Sequence, residues 1–209
     1  MPESNIFLKL AGHLDWVLLA VVVVMLLALS AQKPAGLRQL TVSALLIALD
    51  VVFTRVLAIN TTLMKIGLGF TAVALSAMLY GPVWAMLTAA LGDLIGALMF
   101  PTGAYYWGFT ATAALTGLVF GLYLYRKEGK WLRTFLAALT NCFFVTLVLN
   151  TALIVYKFGA SLQAMAASRI PQFFIMTAVQ TAVIAALQAS PALLRLIREK
   201  STGKSEKKP

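Results

Sequence analysis

Residues 134–156 read TFLAALTNCFFVTLVLNTALIVY, a run of 23 positions without a charged side chain. A helix needs about 20 mostly apolar residues to cross about 30 Å of hydrocarbon, so this run can span a membrane. Six further apolar runs occupy residues 16–32, 39–59, 66–80, 83–100, 108–125 and 171–195. The sequence therefore predicts an all-α integral membrane protein with seven spanning helices, because helices satisfy their own backbone hydrogen bonds in lipid.

The composition supports this interpretation. The 209 residues are 61% hydrophobic and only 11% charged, whereas soluble domains are nearer half apolar and a quarter charged. This many apolar side chains cannot all be buried in a water-soluble globule, so much of the surface must face lipid. The composition excludes soluble enzymes, nucleic-acid-binding modules and disulfide-rich secreted proteins. With Cys142 and His13 as its single cysteine and histidine, the sequence also argues against disulfides and against metal sites built from these residues.

The basic residues indicate the orientation of the chain. Twelve of the 17 Lys and Arg residues lie in alternate connections and in the C-terminal tail: Lys33, Arg38, Arg126, Lys127, Lys130, Arg133, Arg195, Arg198, Lys200, Lys204, Lys207 and Lys208. The positive-inside rule then places the N-terminus outside and the C-terminus in the cytoplasm of the cell membrane.

The first span has an alternative interpretation as a removable signal peptide, with Ala28, Leu29 and Ser30 resembling a cleavage site. Cleavage would leave Lys33 outside and invert the charge pattern, so a retained helix is favoured. We expect residues 1–37 to form an N-terminal extension with one membrane helix, residues 38–198 a six-helix membrane domain, and residues 199–209 a basic cytoplasmic tail.

Charged residues inside the predicted spans are candidates for function. Asp50 and Arg55 lie in the second span and Asp93 in the fourth. A charge near the bilayer centre costs about 2.5–3.5 kcal/mol, so each should have a partner or a water-filled pocket. One interpretation is an ion pair that only holds helices together, and the other is a ligand cavity open to the outside.

An aromatic cluster favours the cavity. Residues 100–109 read FPTGAYYWGF, and we call Tyr105, Tyr106 and Trp107 the aromatic segment. Tyr and Trp often form a belt at the membrane interface, but rings on a Pro/Gly-broken segment can also stack on a flat heterocycle. Three basic residues on the same side would attract an anion: Lys65, Lys157 and Arg169. Together these features indicate a planar, negatively charged ligand.

The sequence has no Gly-x-x-x-x-Gly-Lys-Ser/Thr phosphate loop, no His-Glu-x-x-His and no Gly-x-Ser-x-Gly motif. We therefore expect neither ATP hydrolysis nor enzymatic activity, and no bound metal or cofactor. If the protein drives transport with ATP, another subunit must hydrolyse the ATP.

Four segments read KIGLGFTAVAL at 65–75, LYGPVW at 79–84, GDLIGALMFPTGAYY at 92–106 and GFTATAALTG at 108–117. Together they resemble the substrate-binding S components of energy-coupling factor (ECF) vitamin transporters, and within these the folate group. The resemblance covers roughly residues 38–197 and six helices. It implies a six-helix S-component-like bundle, with the first span as one extra N-terminal transmembrane helix.

The resemblance also implies partners. S components bind a vitamin on the outer side and associate with a transmembrane coupling subunit that carries two cytoplasmic ATPase subunits, which agrees with the missing phosphate loop. Their first core helix presents an Ala-x-x-x-Ala face to the coupling subunit, which Ala44 and Ala48 match here.

For the ligand, the resemblance implies contacts from Arg55 and Lys65 to the carboxylates of folate. Asp93 is suited to accept hydrogen bonds from the ring amide and exocyclic amine of a pterin, and the aromatic segment to stack on the ring or close the entrance. Arg169 and Gln172 stand where the family pattern reads Arg-x-Pro-Lys, and the missing lysine leaves a related heterocycle open.

Three alternatives remain from the sequence. The first is an S component for another vitamin, such as pantothenate, pyridoxine or a pyrimidine precursor. The second is a stand-alone secondary transporter or channel, which would need inverted repeats and a mid-membrane ion site that the sequence does not show. The third is an intramembrane enzyme, which the sequence disfavours because it has one histidine, one cysteine and no metal-ligand pair.

Overall fold

The computed structural model describes residues 3–32, 35–60, 65–101, 105–126, 131–159 and 161–191. Within these ranges it contains seven helices: α1 Glu3–Ser30, α2 Leu37–Val56, α3 Phe70–Tyr80, α4 Pro82–Met99, α5 Trp107–Leu124, α6 Trp131–Phe158 and α7 Leu162–Ala189. Two short strands, β1 Ile59–Asn60 and β2 Lys65–Ile66, pair antiparallel between α2 and α3.

The helices agree with a multi-pass membrane protein. In the described part of the chain, α2, α4, α5, α6 and α7 are long and apolar enough to cross a membrane. Leu18–Ser30 of α1 and the whole of α3 are shorter apolar helices. The 11 residues of α3 extend only about 16 Å at 1.5 Å per residue. The all-α membrane fold is confirmed, but helix length alone does not establish the count of six core spans plus one.

The predicted starts of two spans, the third and the last, are wrong. The third span was expected from residue 66, but α3 begins at Phe70 because Lys65–Ile66 pairs with β1 and a glycine-containing connection follows. The last span was expected to begin at Pro171, but α7 begins at Leu162 and contains this proline. Residues 162–170 are rich in good helix formers, and membrane helices tolerate an internal proline where neighbouring groups satisfy the freed backbone.

The end of the last span also differs from its prediction. Helix α7 ends at Ala189 rather than near residue 195, and Pro191 follows two residues later. The residue before a proline disfavours helical backbone geometry, which explains the early end. The predicted basic tail at 199–209 lies outside the described residues.

Two helices contain π-helical segments. The last turn of α2, Val52–Val56, and the middle of α6, Asn141–Asn150, have the wider π-type hydrogen bonding. Such segments are rare and often occur at functional sites, because they change which side chains face inward. Arg55 lies in the first segment and Asn141 begins the second, and both face the cavity described below.

Glycines bring α4 and α5 into close contact. A Cβ atom added at Gly117 would overlap the backbone of Ala85, and one added at Gly121 would overlap Pro82. Small residues at four-residue spacing allow helix backbones to approach closely in membranes. Residues of α1 pack against both of these helices.

Candidate functional site

A cavity of about 220 Å³ lies between the helices from α2 to α7. Its polar lining comes from five helices and consists of Asp50, Thr54, Arg55, Asp93, Thr116, Asn141 and Gln180. The other lining residues are small or apolar: Gly67, Gly69, Phe70, Val73, Ala89, Ala113 and Met176. None of the described lining residues belongs to α1. An apolar pocket with a few convergent polar groups is typical of small-molecule sites.

The charged pair at this cavity joins α2 to α4. Arg55 Nη2 lies 3.4 Å from Asp93 Oδ1 and 3.5 Å from the Asp93 carbonyl oxygen, and the two side chains are 10% and 24% exposed. Charge-assisted hydrogen bonds are usually 2.7–2.9 Å long, so this pair is loosely joined. The ion pair and the cavity, which the sequence left as alternatives, occur together. Both groups can therefore contact a molecule that enters the cavity.

Glycines of α4 make room for the polar side chains of α2. A Cβ atom added at Gly92 would overlap the carboxylate of Asp50, and one added at Gly96 would lie 2.8 Å from Arg55 Nε. Asp50 is only 4% exposed. The missing side chains on α4 thus allow two charged residues to lie at a closely packed helix interface.

An amide pair forms another part of the wall. Asn141 Nδ2 donates to Gln180 Oε1 at 3.2 Å, and both residues are buried. Asn141 Oδ1 has no hydrogen-bond partner among the described residues. A buried acceptor without a partner costs free energy that a donor on a ligand would recover. The cavity therefore offers an amide acceptor in addition to its charged groups.

Sequence reasoning missed Asn141 and Gln180 because its search for polar groups inside the apolar spans was limited to charged side chains. Amide groups inside an apolar span are also expensive in lipid and usually pair across helices. The same search extended to Asn and Gln would have found both residues.

The aromatic segment does not line the cavity but is connected to it by hydrogen bonds. Thr110 Oγ1 donates to Asp93 Oδ2 at 2.8 Å, and the hydroxyl of Tyr105 lies 2.7 Å from the same Thr110 oxygen. Because the single proton of Thr110 goes to Asp93, Tyr105 donates to Thr110. Trp107 is 36% exposed, with its ring 5.6 Å from that of Tyr106.

Tyr106 points to a different partner, the added helix α1. Its hydroxyl donates to Asp15 Oδ1, and Lys157 Nζ donates to Asp15 Oδ2 at 3.0 Å. Burial and the hydrogen bond to Asp15 raise the pKa of Tyr106. The hydrogen bond from Tyr106, helped by the charge of Lys157, lowers the pKa of Asp15.

The remaining predicted residues lie elsewhere. Arg169 is partly buried and Gln172 is buried on α7, and neither is among the described residues that line the cavity. Lys65 lies in β2, and its side chain is outside the described part of the structure. Ala44 and Ala48 are exposed on α2, on a surface open to a partner or to lipid. Of the residues predicted to contact ligand, Arg55 and Asp93 are the ones that the structure brings together at the cavity.

Most of the chain matches a known protein family. Residues 38–188 match the family described as ECF transporter, substrate-specific component. The folate transporter FolT of Clostridium novyi (strain NT) is 35% identical over 141 residues, which are 68% of this chain and 82% of that protein. The folate transporter FolT of Leuconostoc mesenteroides subsp. mesenteroides is 38% identical over 101 residues, 48% of this chain and 54% of that protein.

A solved structure shows the same fold. The crystal structure of FolT bound with folic acid superposes with a TM-score of 0.69 and 32% sequence identity, covering 73% of this chain and 93% of that one. Helix α1, which ends at Ser30, precedes the region that matches the family.

Proposed function

Because this chain belongs to the substrate-specific component family of ECF transporters, we propose that it binds folate or a related pterin for an ATP-driven uptake transporter. The names of two relatives and the folic acid bound to the similar FolT structure support this choice of ligand. The observation that carries the proposal is the cavity in which Arg55 and Asp93 meet.

The chemistry of that cavity suits a pterin. The pyrimidine edge of a pterin carries an amide N–H and an amino group beside a carbonyl oxygen. Asp93 can accept hydrogen bonds from the two donors, while Arg55 can donate to the carbonyl oxygen of the same ring. The volume of about 220 Å³ is below the 300–1,000 Å³ typical of drug-sized ligands. We therefore place the ring in the cavity and the glutamate end of folate outside it.

Partner subunits complete the proposed transporter. Ala44 and Ala48 form a small-residue surface on α2 that would let a helix of the coupling subunit approach closely. That subunit would carry two cytoplasmic ATPase subunits. The excess of basic residues in alternate connections supports an N-terminus outside and a C-terminus in the cytoplasm.

Calorimetry on the detergent-solubilised protein tests the proposal. We expect folate to bind at one site, and the Arg55→Ala and Asp93→Asn variants to bind about 30-fold to several-thousand-fold more weakly. This range corresponds to the loss of about 2–5 kcal/mol when a buried charged partner is removed. Arg133→Ala is the matched control, because this arginine lies in the first turn of α6 and is not a lining residue.

Two outcomes would contradict the proposal. Wild-type affinity in both cavity variants would exclude the Arg55–Asp93 cavity as the site. Binding of pantothenate, pyridoxine or a pyrimidine precursor in place of folate would assign the chain to a different vitamin.

A further inference from the structure

Helix α1 has a defined place in the bundle although it precedes the family-matched region. Leu18 is fully buried against Ala111 and Leu153, and Met25 is buried against Met86 and its neighbours. These contacts attach α1 to α4, α5 and α6, yet none of its described residues reaches the cavity. Any influence of α1 on ligand binding must therefore act through other residues.

A polar cluster next to this apolar contact connects α1 to residues near the cavity. Asp15 of α1 accepts the Tyr106 hydroxyl on one carboxylate oxygen and Lys157 Nζ, at 3.0 Å, on the other. Lys157 Nζ also lies 4.8 Å from the centre of the Tyr106 ring, within the range of a cation–π interaction. One carboxylate thus joins α1 to the residue before α5 and to the last turn of α6.

Tyr106 lies at the start of the path to the cavity. It is the N-cap residue of α5, and its ring covers Gly108 so closely that a Cβ atom there would overlap it. The preceding residue, Tyr105, donates to Thr110, which donates to Asp93 at the cavity wall. Fixing Tyr106 therefore fixes the first turn of α5, from which Asp93 receives its hydrogen bond.

We propose that Asp15 is a positioning residue for the ligand site, through which α1 holds the first turn of α5 and so slows the release of bound ligand. This inference rests on the proposed function, since it assigns a regulator to the same cavity. Asp15 does not touch the ligand: it restrains Tyr106, and with it the segment that orients Asp93. Weakening this restraint should raise the dissociation rate more than it changes the association rate.

The test is a chase experiment on the full-length protein in detergent. Labelled folate is bound, excess unlabelled folate is added, and the dissociation rate is measured for the wild type and for Asp15→Asn. We expect an increase of up to about fivefold, the equivalent of about 1 kcal/mol for a partly exposed ion pair. Asp15→Glu, which keeps the charge, should restore most of the slow release.

Two further variants separate positioning from a general loss of stability. Tyr106→Phe removes the donor and should raise the dissociation rate, and the double variant with Asp15→Asn should release folate no faster than the faster single variant. Tyr106→Phe alone decides the matter if Asp15→Asn does not fold. Trp16→Ala is the control, because Trp16 is the next residue on α1 and is 71% exposed.

The outcomes distinguish this inference from the proposed function. A wild type that binds folate, with dissociation rates unchanged in Asp15→Asn and Tyr106→Phe, would overturn the positioning role and leave the proposed function in place. Equal acceleration in Trp16→Ala would also overturn it. A wild type that does not bind folate would overturn both.

Discussion

Asp50 and Arg55 of α2 fit into the bundle only because the residues that face them on α4 are glycines. Both are polar groups in a membrane helix, where a charge is expensive unless it has partners. Gly92 and Gly96 supply the space on α4 in which these side chains lie. The polar character of the cavity thus depends on the absence of side chains opposite it.

This dependence predicts the effect of Gly92→Ala. The added methyl group would overlap the Asp50 carboxylate, and such overpacking typically costs about 1–3 kcal/mol. We expect weaker folate binding by calorimetry and a melting temperature lower by several degrees. Gly36→Ala is the matched control, since a Cβ atom there meets nothing within 4 Å. Unchanged affinity in Gly92→Ala would show that Asp50 does not shape the site.

Some residues of the site could be predicted from the sequence and others could not. Arg55 and Asp93 stand out because a charged side chain in an apolar span is costly in free energy unless it has a partner or a polar cavity. Thr54 and Thr110 do not, because threonine hydroxyls commonly bond the backbone of their own helix, as Thr54 does with the carbonyl of Asp50 at 2.7 Å. Only the fold shows that the hydroxyl of Thr110 is bonded to Asp93 instead.

At the scale of elements, the apolar runs of the sequence located α4, α5 and α6 to within a few residues. It misplaced the start of α7, because proline usually marks the beginning of a helix and here lies inside one. The π-helical segments were beyond prediction, since they are defined by backbone hydrogen bonds that hydropathy does not encode. These segments carry Arg55 and Asn141, so the details of the cavity wall required the structure.

The ion pair and hydrogen bond that attach α1 through Asp15 predict that the stability of the protein depends on pH. The hydrogen bond from Tyr106 and the nearby Lys157 lower the pKa of Asp15 below its ordinary value of 3.8, against the opposing effect of burial. A lowered pKa in the folded state means that stabilisation is present above the ordinary value and is lost as the pH falls through the lowered one.

We therefore expect the melting temperature of the wild type to exceed that of Asp15→Asn by a constant margin from neutral pH to about pH 5. This margin should disappear in stronger acid, where Asp15 of the wild type is protonated. The margin should be no more than about 4 °C, because partly exposed ion pairs contribute about 1 kcal/mol or less. Thermal unfolding across this pH range measures it. A margin that persists undiminished at about pH 2 would contradict the assignment.

At the scale of the whole molecule, the cavity depends on helices that are far apart in the sequence. Its polar lining joins α2, α4, α5, α6 and α7, and no local pattern shows which faces of these helices meet. The membrane class, by contrast, follows from composition alone, because 61% hydrophobic residues leave no soluble alternative. Class was therefore predictable, whereas the geometry of the site was not.

The proposed assembly predicts the effect of a bulky residue on α2. Ala48→Trp should reduce co-purification of the ATPase-bearing coupling subunit, because helices approach closely only at small residues, and should leave folate binding to the isolated chain unchanged. Ala20→Trp is the matched control, since Ala20 is also exposed but lies on α1, outside the family-matched region. Equal capture by Ala48→Trp and the wild type would place the coupling surface elsewhere.

The most direct test of the account is a structure of this chain determined with folate bound. We expect the pterin ring in the cavity, with its ring donors on the Asp93 carboxylate, the Arg55 guanidinium within hydrogen-bonding distance of the ligand, and the glutamate end outside the cavity. Folate bound elsewhere, with Arg55 and Asp93 paired beside an empty cavity, would contradict the account.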